Sequence, residues 1–165
     1  MRRAGLVVLA IVGVIMQVSL LPALRPLGVV PNLMLVMVTL IGLEGTASTA
    51  LVVAVAGGVV LDLSSGANFG LWIALLVLAA LAAGLVHRAG IELVGSAVAS
   101  VIVAVLTVVE TVVIVLGLAG SVSSWPVGLL AGRLVAELVL NLVLTIGLQP
   151  LVRYVMPKAT MGDIG

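Results

Sequence analysis

The sequence is poor in the residues on which most catalytic and metal-binding sites depend. Its 165 residues include no cysteine and a single histidine, His87. Disulfides, thiol chemistry and thiolate metal sites are therefore excluded, and a zinc site built by this chain alone is not expected. The sequence has no Ser/His/Asp set, nucleophile elbow, zinc-protease motif or phosphate-binding loop. We predict that the protein is not an enzyme and has no catalytic, cofactor-binding or metal-binding residues.

Aromatic and charged residues are also scarce. The four aromatic residues are too few to form platforms on which bases or flat cofactors stack. Charged residues make up 8% of the chain, against about 25% in a soluble domain. Hydrophobic residues make up 64%, and the mean hydropathy is +1.50. The net charge of +1 with no basic run gives no indication of nucleic-acid binding. We therefore predict an integral membrane protein.

Apolar runs separated by short loops predict one all-α membrane domain over residues 1–165, a compact bundle of six helices. We place the spans at roughly 4–21, 31–43, 46–63, 69–86, 93–118 and 126–152. The first run exceeds the about 7–15 residues of a signal peptide's apolar region and lacks a clean cleavage site, which favours a transmembrane helix. The second covers only about 20 Å. It is a short helix, begins earlier near Leu27, or is re-entrant.

Basic residues predict the orientation. With six spans, one side carries a single basic residue, Arg25, and the other carries Arg2, Arg3, Arg88, Arg153 and Lys158. The positive-inside rule makes the second side cytoplasmic, so we expect both termini in the cytoplasm. A chain in which the second segment does not span would leave two basic residues inside and four outside. The six-span arrangement is therefore favoured, and in it Trp72 and Trp125 begin helices at the outer interface, where tryptophan is favoured.

The stretch from Pro31 to Trp72 is the part around which we expect the chain to be organised. Gly57 and Gly58 lie within a predicted span, where glycines allow another helix to approach closely. Asp62 lies where that helix should end, which is an unfavourable place for an anion. We expect the amides of residues 63–66 or a nearby cation to stabilise it. Glu44, at the inner boundary, is interpreted as a solvated turn residue.

Ionisable residues inside the last two spans are candidates for function. Glu110 lies in the fifth span, and Arg133, Glu137 and Asn141 share one face of the sixth because they are spaced four residues apart. We expect Arg133 to pair with at least one of the two acids. Three interpretations stay open: a structural network, a contact with a protein partner, or a path for a substrate or proton.

A short span also suggests a partner surface. A helix shorter than the membrane perturbs the bilayer, and covering it with protein relieves that mismatch. We expect an exposed apolar face that includes the helix after Pro31, with Leu35 and Met37, to receive a helix of another membrane protein.

The order of features resembles a known family, the rod-shape-determining membrane protein MreD. The resemblance rests on a basic start, a proline loop, Pro31-Asn32-Leu33, Gly45, the run from Gly57 to Gly66 and Phe69-Gly70. The family-like positions are Pro31, Asn32, Gly57, Gly58, Asp62 and Gly70. Asn32 stands where the family often has an acid, and Glu44 where a basic residue is common.

The resemblance implies a function that the composition does not show. It implies a non-enzymatic scaffold of the bacterial cell-elongation complex in the cytoplasmic membrane, which supports side-wall peptidoglycan synthesis and rod shape. The implied partner is the bitopic protein MreC, with RodA, a class B penicillin-binding protein and MreB as further associates. The implied fold is similar to the substrate-binding subunits of energy-coupling-factor vitamin transporters. A vitamin-binding subunit is therefore the alternative function, although the chain has few groups for a polar or aromatic pocket.

Overall fold

The computed structural model describes residues 2–25, 28–65, 70–90, 95–117 and 127–156, whose regular structure is helical. Phe69, Trp125 and Lys158, which the sequence analysis names, lie outside the described residues. The elements are α1 (Arg2–Ile15), a π-helical turn (Met16–Leu20), α2 (Leu21–Leu24), α3 (Leu33–Glu44), α4 (Ala47–Ser65), α5 (Leu71–Arg88), α6 (Gly95–Gly117) and α7 (Val127–Val155).

Five helical segments of the described residues are long and apolar enough to cross a membrane. They are Gly5–Ala23, Ala47–Ser65, Leu71–Arg88, Ser96–Val113 and Gly128–Val155. Each matches a predicted span to within a few residues. The predicted all-α membrane fold is therefore confirmed. The remaining predicted span, the second in chain order at 31–43, corresponds to the shorter apolar helix α3.

Helix α3 lies at the centre of the bundle. Eleven of its 12 residues are buried, and it packs against α1, α4, α5, α6 and α7. Its sequence is apolar on every side, as a fully enclosed helix requires. Because Leu35 and Met37 are 0% and 2% exposed, the expectation that this helix presents a free face to a partner is wrong. The neighbouring helices already cover it.

The chain enters α3 through buried backbone that is not helical. The helix begins at Leu33, so the alternative start near Leu27 is wrong. Twelve residues span about 18 Å, less than the about 30 Å of the hydrocarbon core. Its last residue, Glu44, contacts the last turn of α7 through Arg153, so the deficit falls at the N-terminal end. Non-helical backbone at such depth must be enclosed by protein, and Pro31 and Asn32 are indeed buried.

Small residues let α3, α4 and α5 pack closely. A Cβ atom at Gly58 would lie 2.6 Å from the Cα atom of Ile73 on α5, and one at Gly57 would collide with the side chain of Met34 on α3. Contacts under 3.0 Å require something to move, and at Gly58 the obstacle is backbone. The predicted role of the glycine pair in helix contact is confirmed.

Candidate functional site: polar clusters at the ends of the central helix

A buried polar cluster surrounds the N-terminus of α3. Asn32 is the N-cap: its Oδ1 accepts the N–H of Leu35 at 2.9 Å, which satisfies one of the helix's free donors. Its own N–H donates to Oδ1 of Asn141 on α7 at 2.8 Å. Its Nδ2 donates to Oε2 of Glu110 on α6 at 3.0 Å. One residue thus joins α3, α6 and α7.

Two further side chains complete this cluster. Asn141 Nδ2 donates to Oγ1 of Thr107 on α6 at 2.9 Å. Gln17, on the π-helical turn, accepts the N–H of Leu33 at 2.6 Å and donates to the carbonyl of Pro31 at 3.2 Å. Backbone groups freed where a helix is interrupted must find partners in a membrane. The side chains of Gln17 and Asn141 supply these hydrogen-bond partners, which explains why amides recur inside otherwise apolar spans.

The predicted ion pair of Arg133 is not formed. Among the described side chains, one acid–base pair lies within 4.0 Å, and it is Arg153 with Glu44. Arg133 is exposed, and none of residues 128–136 is buried, so this part of α7 stands away from the bundle. Glu137 is 8% exposed and forms no hydrogen bond with a described residue. The four predicted residues therefore divide: Glu110 and Asn141 share a cluster through Asn32, whereas Arg133 and Glu137 do not join it.

Asp62 joins α4 to α5. Its carboxylate, 2% exposed, accepts the N–H groups of Gly70 and Trp72 at 2.9 Å each and that of Ile73 at 3.3 Å. An acid at the end of α4 is thereby placed at the positive end of α5. The expectation that the amides of residues 63–66 or a cation stabilise Asp62 is wrong for the described residues, because the amides that bind it belong to the start of the next helix. Gly70, with φ +102°, takes a conformation that favours glycine.

A second cluster holds the C-terminal end of α3. Glu44 Oε1 accepts Nε of Arg153 at 2.7 Å and, more weakly, Nε2 of Gln149 at 3.4 Å. His87 Nδ1 lies 2.7 Å from the carbonyl oxygen of Leu43. Glu44 is 8% exposed, so its interpretation as a solvated turn residue is wrong. The last turns of α7 cover it, a contact between residues 109 positions apart.

The family-like residues all lie where α3, α4 and α5 begin or meet. Asn32 and Gly70 are the N-caps of α3 and α5. Asp62, on α4, also caps α5 through its carboxylate. Gly57 and Gly58 lie where α4 contacts α3 and α5. Sequence reasoning did not single out Thr107. Its position three residues before Glu110, and therefore on the same face of α6, was the available signal.

The described residues contain no group of three or more His, Cys, Asp or Glu that could hold a metal ion. The buried amides and hydroxyls of the two clusters bond one another, the backbone, or the carboxyl groups of Glu110 and Glu44, an arrangement that fixes helices.

Comparisons with known proteins assign the family. Neither the curated proteins nor the solved structures give a match. A family model described as rod shape-determining protein MreD matches residues 2–159 of this chain. That match covers nearly the whole sequence, including both polar clusters and all the family-like positions. The chain therefore belongs to the MreD family of rod shape-determining proteins.

Proposed function

We propose that this protein is a non-enzymatic membrane subunit of the bacterial cell-elongation complex and that it binds MreC. Membership of a family of rod shape-determining proteins is the observation that carries the proposal. The proposed consequence is support of side-wall peptidoglycan synthesis, in association with RodA, a class B penicillin-binding protein and MreB. The proposed location is the cytoplasmic membrane, with both termini in the cytoplasm.

The use of polar groups supports a scaffold role. Asp62, Asn32 and Asn141 are held by backbone or amide partners in the fold. Such bonds position helices, because each of them joins one helix of the bundle to another or caps a helix. A protein whose intramembrane polar groups hold its own helices in place is suited to binding other membrane proteins through its outer surface.

A groove between α1 and α4 is the partner surface that we propose for MreC. It has a volume of about 780 Å³ and is lined by apolar residues such as Ile11, Val52 and Val60. Val52 is 69% exposed and Ile11 54%. Without a hydrophobic gain in lipid, helices associate through close packing, and a groove of this volume leaves room for the side chains of another helix. A bitopic partner offers the single apolar helix that could fill it.

The lining of the groove also bears on the alternative function. Thr49 is its one residue with a polar side chain, and it has no aromatic residue. A vitamin-binding subunit needs convergent polar groups that orient its ligand. The groove therefore favours a helix over a vitamin as its occupant.

Cysteine cross-linking tests the proposal, since the absence of native cysteine makes a single introduced thiol unambiguous. We expect Val52→Cys to cross-link to co-expressed MreC that carries cysteines along its transmembrane helix. Val143→Cys on α7, exposed to a similar degree at 62%, is the matched control and should give little product. Equal yields from the two positions, or equal yields with an unrelated bitopic protein, would contradict the proposal.

A further inference from the structure

A cavity between α5 and α6 contains one carboxyl group among apolar side chains. Its volume is about 160 Å³, and it is lined by Trp72, Leu75, Leu78, Val109, Glu110 and Val113, among others. Leu78 and Val113 are 47% and 37% exposed, so the cavity opens sideways, toward the membrane. Trp72 lies in the first turn of α5, which places the cavity in the half of the bundle where α5 begins.

The carboxyl group of Glu110 is incompletely satisfied in this cavity. Glu110 is 4% exposed, and its one hydrogen bond with the described residues is the one accepted from Asn32. No basic side chain of the described residues lies within 4.0 Å of it. If ionised, the group has no basic partner within 4.0 Å among the described residues; if protonated, none of the described residues accepts its O–H. A buried group in either state is costly.

A basic group satisfies the carboxyl in both states. An ammonium ion pairs with the carboxylate, and a neutral amine accepts the proton of the carboxylic acid to give the same ion pair. A hydroxyl group would supply a hydrogen bond but no charge. The volume is close to the about 150 Å³ of an engineered apolar cavity that holds benzene, so it suffices for the four methylenes and amine of a lysine side chain.

We propose that this cavity receives a lysine side chain from a neighbouring transmembrane helix, with its amine paired to Glu110. The helix packs against the open side of α5 and α6, on a face that includes Leu78 and Val113. The proposal rests on the proposed function only in requiring a membrane partner. The site itself belongs to the isolated chain and is tested there.

The probe is n-butylamine, which reproduces a lysine side chain beyond its Cα atom, with 1-butanol as its uncharged counterpart. Trp125→Phe leaves Trp72, in the cavity wall, as the sole tryptophan. We expect n-butylamine to change the Trp72 emission of the purified protein saturably. Glu110→Gln should weaken this binding about tenfold or more, because bonds to charged groups are the stronger ones. The glutamine retains an oxygen for Asn32, and its melting temperature reports whether the fold is kept.

A second variant keeps the test decisive if Glu110→Gln fails to fold. Val113→Phe, at the cavity mouth, should block the amine while Glu110 stays intact. Val112→Phe, on the same turn but outside the lining, should bind n-butylamine as the unmodified protein does. An unsaturable response, a response as strong to 1-butanol, or binding unaffected by both Glu110→Gln and Val113→Phe would overturn the proposal. Failure of MreC to cross-link from the α1–α4 groove would overturn the proposed function, whereas amine binding by the isolated protein decides the site.

Discussion

The carboxylate of Asp62 accepts the backbone N–H of Trp72 at 2.9 Å, so that an acid on α4 caps α5. A cap usually comes from the residue just before its helix. Here that place is taken by Gly70, which has no side chain to offer. The carboxylate of Asp62, eight residues before Gly70, substitutes for it, and the contact also joins the two helices.

Removing this cap should destabilise the α4–α5 pair. We expect Asp62→Ala to lower the free energy of unfolding in detergent by about 0.5–2 kcal/mol, the usual value of an N-cap. Asp62→Asn should cost less, since one oxygen remains to accept a hydrogen bond. Ser64→Ala, at an exposed position two residues away, is the control and should change little. Equal stability of Asp62→Ala and Ser64→Ala would contradict the capping role.

Two glycines should respond oppositely to the same methyl group. Gly58→Ala places a Cβ 2.6 Å from the Cα atom of Ile73, and overpacking of this kind costs about 1–3 kcal/mol. Gly132 has open space around it, so Gly132→Ala should be neutral or stabilise α7 by about 0.5–1 kcal/mol. Melting temperatures of the purified variants are the measurement. A Gly58→Ala protein as stable as Gly132→Ala would place the α4–α5 contact elsewhere.

The two arginines of α7 should also differ. Arg153→Leu leaves Glu44 buried without its partner, and we expect a loss of about 1–3 kcal/mol; a fully buried pair would lose more, but Arg153 is 50% exposed. Arg133→Leu should lie within about 0.5 kcal/mol of the unmodified protein, as exposed substitutions do. Chemical unfolding of both variants in one detergent tests this. The expectation fails if Arg133→Leu is the more destabilised variant.

Asn141 should be a position where an apolar residue is not tolerated. Asn141→Leu leaves the N–H of Asn32 without its acceptor and removes the donor to Thr107. Each buried unsatisfied group costs about 1–3 kcal/mol. Asn141→Asp keeps the acceptor for Asn32, and the Thr107 hydroxyl can turn to donate to it, so this variant should be the milder one. The yield of folded protein and its melting temperature would show the order, and the reverse order would remove Asn141 from the cluster.

The topology has its own test. The charge asymmetry predicts that residues after Arg88 and after Lys158 are cytoplasmic. Reporters fused at these two places should therefore both give the cytoplasmic signal, and a reporter after Arg25 should give the periplasmic one. A periplasmic signal at Arg88 would mean that α3 does not complete a crossing.

The local composition of the sequence predicted the helices correctly, but it did not predict which helices surround one another. The predicted spans agree with the helices because apolar runs of sufficient length have few alternatives in a membrane. The short second span was correctly identified as unusual. Its central position was not predicted, because a helix that is apolar all round is equally suited to lipid and to the interior of a bundle.

For the polar residues too, the sequence predicted which residues are unusual but did not predict their contacts. The sequence marks Asp62, Glu110 and Asn141 as exceptional because polar groups inside spans are costly. It does not show which groups are in contact. Asp62 binds amides at the start of the next helix. Asn141 binds Asn32, 109 positions away in the sequence, and Glu44 binds Arg153.

The sequence by itself determined that this is a multi-helix membrane protein of the MreD family, since hydropathy, glycine placement and the family-like positions are properties of single residues and short runs. Only the tertiary structure decided that α3 is enclosed, that Arg133 has no acid within 4.0 Å among the described side chains, and that Glu110 borders an open cavity. Those outcomes depend on the direction in which each helix face points, and that direction is set by the packing of all the helices together.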